Sequence, residues 1–249
     1  MVEKKKKKEF KKKKEQHIEL KIDLTKSKTD VREMLKNGVH FGHSKSRKDP
    51  RMDKYVFGVK RGINIIDLQK TEEKLKEAIE FIKKLRKNQK QILFVGTKKQ
   101  SKLLLKAVAE KCEMPYIEER WLGGTFTNFS VIRRRAQYLK DSQEKLEKGE
   151  FDKYTKLEKL KKSEELEKLE KRMGGIKIMK ELPGAVFIVD IKSDNIALRE
   201  AISAKVPTIA LVDTNVNPET VDYPIPANDD ATSSVKLMLE YIGTAVAGK

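Results

Sequence analysis

A block of ionic residues in the middle of the chain limits its fold more than any other feature. Between positions 128 and 173, 14 Lys/Arg and 10 Asp/Glu occupy 46 residues. Over half of the block is charged, so no hydrophobic core can close around it and it must project. It nevertheless carries an apolar rhythm. Ile132, Ala136, Leu139, Gln143 and Leu146 recur in alternating steps of four and three, the spacing of an antiparallel coiled-coil seam. Leu166, Leu169 and Met173 keep that rhythm in a second segment, with Leu157 and Leu160 slightly out of phase. Gly149 marks the turn between them, and Gly174-Gly175 is expected to end the second helix in a left-handed cap. Two helices of about 20 residues would make an arm of roughly 30 Å. The expectation is a coiled-coil helical hairpin over about 126–176. An enzyme of this size rarely needs such an arm, whereas a protein docking into a large polyanionic assembly can use one.

On either side of the block, strands alternate with helices. The run 92–95 is continuously apolar, as in a strand covered on both faces, and strands are also expected at 185–189 and 207–212. A short strand is expected near Tyr116, and extended pairing over 55–59 and 63–68. Asp30 can cap a helix over 31–36, and Thr71 one whose residues Leu75, Ala78, Ile79, Ile82 and Leu85 share a face. Further helices are expected at 98–112, 194–204 and 230–246. This alternation reads as an α/β fold, an open, mostly parallel, doubly wound sheet with the hairpin inserted between two strands.

Charge narrows the function. A net charge of +18 is self-repulsive in a free monomer but suits counterion release from phosphate, which makes nucleic acid the leading partner. Membrane is the rival. No apolar run reaches the roughly 20 residues of a membrane span and no signal peptide is visible, so a cytoplasmic protein is expected. Residues 1–29 hold 12 Lys against 5 Asp/Glu, a Lys-rich arm expected to be disordered. The core, 30–249, keeps +11 (18 − 7) without it. The single cysteine, Cys112, reads as a small buried hydrophobe and excludes a disulfide framework.

Five motifs bear on chemistry. In Val39-His40-Phe41-Gly42-His43 two imidazoles are too few for a closed zinc site. Packing, RNA contact, or a divalent metal held by His43 with Asp190 and Asp213 at strand ends all fit. Gly96-Thr97-Lys98-Lys99 follows a strand and could face an anion, though without Walker spacing. Arg120-Trp121-Leu122-Gly123-Gly124 reads as a hinge that fixes the arm's angle, with base stacking by Trp121 as the alternative. Arg133, Arg134 and Arg135 cover most of a helix circumference, so at least one should face a partner. With Lys45, Arg47, Lys48, Arg51, Lys98, Lys99 and Arg120 they are the candidate phosphate contacts. Near Asp213-Thr214-Asn215, where an enzyme of this fold keeps its catalytic groups, no nucleophile elbow, metal cluster or carboxylate pair converges. That argues against catalysis. The competing readings are a nucleotide-binding enzyme using Gly96 to Lys99, and a coiled-coil adaptor that acts without RNA.

These segments, taken in order, resemble the small-subunit ribosomal protein S-two family in its bacterial form. The resemblance rests on Leu35-Lys36-Asn37-Gly38-Val39-His40-Phe41-Gly42-His43, Ile65-Ile66-Asp67-Leu68-Gln69-Lys70-Thr71, Phe94-Val95-Gly96-Thr97-Lys98 and Arg120-Trp121-Leu122-Gly123-Gly124. Leu166-Glu167-Lys168-Leu169-Glu170, Leu182-Pro183-Gly184-Ala185, Val212-Asp213-Thr214-Asn215 and Ile225-Pro226-Ala227-Asn228-Asp229-Asp230-Ala231 complete it. It implies a flavodoxin-like sheet with an inserted coiled-coil hairpin, and no catalysis. It also implies binding to small-subunit ribosomal RNA where head meets body, beside neighbouring small-subunit proteins, with recruitment of the mRNA-binding ribosomal protein S-one. Relatives usually carry aromatic residues before an Asn-Pro-Lys-Met turn. Here the segment reads Arg47-Lys48-Asp49-Pro50-Arg51-Met52, which implies charge contacts in place of stacking.

Overall fold

A computed structural model describes residues 22–26, 28–148 and 155–248. Five parallel strands form the central sheet: β4 (Ile92–Val95), β5 (Tyr116–Ile117), β6 (Ala185–Ile188), β7 (Thr208–Val212) and β8 (Tyr223–Pro226). Their order is β5-β4-β6-β7-β8. Counted from β4 this is 2-1-3-4-5, the doubly wound order in which the sequence direction reverses between β4 and β6. Strand periodicity sorts the apolar residues onto two faces. Ile92, Phe94, Ala185, Phe187, Ile209 and Leu211 pack against α2 (Leu68–Lys87), α3 (Lys102–Lys111) and α7 (Thr232–Ala247). Leu93, Val95, Val186, Ile188, Ala210 and Val212 pack on the other side against α6 (Asn195–Ser203) and the inserted helices. Both faces are covered, which is why β4 and β6 are apolar at every position and β7 at all but Thr208.

A second, antiparallel sheet precedes the first, ordered β1 (Phe41–Ser44), β3 (Ile63–Ile66), β2 (Val56–Lys60). The β2–β3 loop is Arg61-Gly62, both at positive φ, as a type I′ hairpin turn requires. Asp30 caps α1 (Val31–Lys36), accepting from the Arg32 N–H at 2.8 Å. Thr71 does not cap α2. Asp67 does, at 3.0 Å, and Thr71 sits buried one turn in, donating 2.6 Å to the Pro226 carbonyl of β8.

The inserted helices are α4 (Phe129–Glu147) and α5 (Lys156–Met173), between β5 and β6 in the chain. Ile132, Ala136, Leu139, Leu166 and Met173 are buried in one cluster with the sheet. Gln143 donates 2.6 Å to Glu170, and Lys177 reaches both at 3.0 and 2.6 Å. Farther along, Leu146, Leu157 and Leu160 are 49%, 61% and 56% exposed, so burial of the seam stops short of the distal end. The turn expected at Gly149 lies outside the described residues. A full capping box of Thr155 and Glu158 starts α5. No left-handed cap ends it: Gly174 has φ −54, and the chain continues in a tight helical turn, Gly174–Ile176.

Glycine is needed here for room. A Cβ on Gly175 would collide with the Tyr116 carbonyl and ring on edge strand β5. Gly175→Ala is expected to lower stability by about 1–3 kcal/mol, the usual range for overpacking. Urea unfolding with an unchanged m-value would show it; a midpoint equal to the parent's would mean that this turn gives way.

The expected arm, 1–29, divides at Ile22. Residues 1–21 lie outside the described residues, but Ile22 and Leu24 pack into the core beside Val108 and Gly243. Lys26 pairs with Glu33 and, at 2.9 Å, with Glu240, a carboxylate only 4% exposed on α7. The Asp23 N–H donates to the same Glu240 at 3.1 Å. Lys111 donates to the Ile22 carbonyl at 3.1 Å, so the segment is a strap across α3 and α7.

Candidate functional site

A doubly wound sheet binds ligands outside the carboxyl ends of its strands, at the reversal of strand order. Here that place is filled by the protein's own charges. Lys98, three residues past β4, puts its Nζ 3.2 Å from Asp190 beyond β6, and 2.9 and 2.6 Å from Asp229 and Asp230 beyond β8. His43 of β1 closes the ring. Its Nδ1 is 3.1 Å from Asp213, which follows β7, and its Nε2 is 3.4 Å from Asp230. The His43 N–H also donates to Thr214 Oγ1 at 2.8 Å, and Ser193 Oγ donates to Asp190 at 2.6 Å.

Electrostatics follow from this geometry. Burial pushes Asp229 up to about 7, aided by the charges of Asp190 and Asp213 and opposed by Lys98. Burial likewise raises Asp194 to about 6, against hydrogen bonds from Thr97. Burial would raise Asp190 too, but Ser193 and Lys98 outweigh it and hold it below the ordinary carboxylate range. The Asp213 hydrogen bond lifts His43 above its ordinary value. Burial alone would lower Lys98, yet the Asp230 and Asp229 bonds win and raise it.

Two of these shifts act on stability in the same direction. The stabilisation from His43 is fully present below about 6.5, the unfolded value, and is lost as pH rises through the higher folded one. For Asp229 the folded state holds its proton more tightly, so stability falls as pH climbs from its ordinary 3.8 towards about 7. The urea midpoint is therefore expected to drop between pH 5 and 8, and to drop less in a His43→Gln, Asp229→Asn double variant. Parallel pH profiles for the two proteins would overturn that assignment.

The metal expectation is not carried by these contacts. His43 meets Asp213, but Asp190 faces the Lys98 ammonium, which is the cation of this site. Among the described residues no group of three or more His, Cys, Asp or Glu is placed to hold a metal ion. Lys98, expected as a phosphate contact, has its charge taken up by three carboxylates of the protein itself. The same fact removes the support for a nucleotide site at Gly96 to Lys99.

The other basic candidates fall into three groups. Lys45, Arg47, Lys48 and Arg51 lie on the two tight turns between β1 and β2. Of these, Lys48 pairs with Asp53, and Arg51 lies 4.0 Å from Glu219. Lys99 is exposed just after Lys98. Arg120, Arg133, Arg134 and Arg135 are exposed around the root of α4. Trp121 is not available for stacking on a base: it is buried, edge-on to Phe126 at 5.0 Å, and its Nε1 donates to Glu200 at 3.1 Å. Cys112 is buried as expected, its thiol pushed up to about 11 by burial. Asp229 and Asp230 stand in the sequence only as part of the family motif 225–231, and Glu200 carries no signal, for each gains its role only through a partner far along the chain.

A doubly wound core whose ligand edge is closed by its own ion pairs, with exposed arginines at the root of an inserted helical pair, defines a scaffold protein. Residues 34–248 match the sequence profile described as Ribosomal protein S2. Two relatives, both named Small ribosomal subunit protein uS2, come from strains of Treponema pallidum, one from the subspecies pallidum and the other from strain Nichols. Each is 48% identical over 216 residues, spanning 87% of this chain and 74% of the relative. The chain belongs to the ribosomal protein S2 family, whose members are structural proteins and not enzymes.

Proposed function

We propose that the protein is a structural constituent of the small ribosomal subunit, cytoplasmic and ribosome-bound. It holds small-subunit ribosomal RNA where head and body meet. The observation that carries this reading is the family match across nearly the whole core, joined to exposed basic side chains at Lys45, Arg47, Lys99, Arg120, Arg133, Arg134 and Arg135. Such contacts fix orientation on phosphate without reading base sequence. No described helix is long and apolar enough to cross a membrane.

In this reading α4 and α5 form an antiparallel coiled-coil arm. Its base is buried against the sheet, and its distal leucines are exposed to a neighbour within the subunit. Recruitment of ribosomal protein S-one finds support in a different place, the outer face of the antiparallel sheet. Phe57 is 79% exposed there, with Leu35, Phe41, Val59 and Ile63 also exposed, around a groove of about 830 Å³. An apolar patch of this kind marks a protein contact.

Sedimentation of a native lysate through a magnesium-containing sucrose gradient tests the proposal, with a nuclease- and EDTA-treated sample in parallel. The chain is expected at near-stoichiometric level in small-subunit and whole-ribosome fractions, and to leave them after treatment. Persistence at the top of both gradients would sink the ribosomal role. Partners retained after nuclease would favour the RNA-independent adaptor.

A further inference from the structure

The loop that launches α4 is organised by a single carboxylate from another element. Glu200, on α6, accepts from the Trp121 indole N–H at 3.1 Å and from the backbone N–H groups of Gly124 at 2.7 Å and Phe126 at 3.0 Å. The Thr127 N–H and hydroxyl add longer contacts at 3.5 Å. Gly124 stands at φ +88, which turns the chain so that these donors converge. Trp121 and Phe126 are buried in the cluster that holds Ala197, Leu198 and Ala201 of α6, so ring packing and the carboxylate act on the same loop. Asn128 begins α4 without a side-chain cap bond. Glu200 therefore fixes the loop just ahead of the helix and leaves the N–H groups of the first turn to other partners, while its charge lies near the positive end of the helix dipole.

We propose that Glu200 is the positioning residue that sets the direction in which α4 and α5 leave the core, acting as a built-in anion for the donors of the 121–127 loop. A carboxylate with several donors has one geometry that satisfies them all, and a hinge held at its centre cannot swivel without giving them up. Ring packing of Trp121 and Phe126 alone would leave these N–H groups unpaired. The inference rests on the reading of α4 and α5 as one projecting arm. It adds which residue fixes the angle at which the exposed Arg133, Arg134 and Arg135 meet their partner.

The test uses the full chain in a Cys112→Ala background, with nitroxides on Glu73→Cys in α2 and Glu164→Cys in α5, both exposed positions. Pulsed dipolar spectroscopy should give one narrow distance distribution with Glu200 present. In Glu200→Ala the distribution should broaden and its maximum shift while the core still melts cooperatively, and sodium acetate should restore the narrow form by occupying the vacated donors. Glu200→Gln keeps the shape but turns an amide N–H towards the donors, and should broaden the distribution without rescue. It serves alone if Glu200→Ala does not fold. A narrow, unshifted distribution in either variant overturns the role of Glu200 and leaves the arm standing. A distribution already broad with Glu200 in place overturns the arm reading, and the inference with it.

Discussion

Replacing Lys98 with methionine is expected to lower the unfolding free energy by about 3–5 kcal/mol, the range for removing one partner from a buried charge cluster. The side chain is only 21% exposed and sits within 3.2 Å of Asp190, Asp229 and Asp230. Methionine matches its length and apolar stem, so little packing is lost and the charge term dominates. The deficit should carry a pH signature. Without the ammonium, Asp229 moves still further above its ordinary range, so the folded state binds more protons than the unfolded one over a wider span of pH. Stability then falls as pH rises, and the gap to the parent protein widens from pH 5 to pH 8. Urea unfolding at the two values reads it directly. A deficit under about 1 kcal/mol that does not change with pH would mean that water already screens the cluster. The functional consequence runs the same way. A lysine at the switch point of a nucleotide-binding sheet must be free for phosphate, and this one is committed to holding three chain segments together.

The core strands are legible in the sequence because burial on both faces removes polar residues altogether. Ile92-Leu93-Phe94-Val95 could hardly be anything else, its neighbour β6 shares the pattern, and β7 departs from it only at Thr208. Edge strand β8 looks like a loop because Pro224 and Pro226 interrupt it. It pairs only with β7, and an edge can spare the N–H groups that proline lacks. Strand β1 is hidden for a similar reason, being short and built around Gly42 and His43. The misplaced cap at α2 has a tertiary cause. Thr71 looks like a cap in sequence, but its hydroxyl is spent on the Pro226 carbonyl, a partner 155 residues away. The site is legible only in fragments. Lys98 stands out as a phosphate ligand, and Asp213 as a turn residue and, with His43 and Asp190, as a candidate metal ligand. Their membership of one ring follows from the 2-1-3-4-5 order, which brings the ends of β4, β6, β7 and β8 side by side. No local pattern encodes that juxtaposition. Glu200 gives no signal at all, since a glutamate on an amphipathic helix is ordinarily solvated.

Removing residues 2–21 is expected to weaken binding to small-subunit RNA about tenfold or more at ~0.1 M salt, and to flatten its salt dependence, while leaving the fold intact. This segment holds ten Lys against four Glu, a net charge of +6 (10 − 4). Each phosphate it neutralises on a duplex contributes about 0.9 to the log–log salt slope, so full engagement of the net charge would take roughly 5 from it. The cut must stop before Ile22. A longer deletion, 2–29, also strips Ile22 and Leu24 from the core and takes Lys26 from Glu240. Leaving that carboxylate without Lys26 should cost about 3 kcal/mol, so a weakened longer truncation would mix lost stability with lost RNA contact. Comparing the two separates them. The shorter deletion should change the slope and keep the urea midpoint, whereas the longer should lower the midpoint and change the slope by only a little more, since residues 22–29 add two lysines and one aspartate. An unchanged slope after the shorter cut would place the RNA contact wholly in the core, on the exposed arginines and lysines of the β1–β2 turns and the root of α4. The run of lysines would then act only on the rate of encounter, through the long-range field, and its effect would show in association kinetics at low salt rather than at equilibrium.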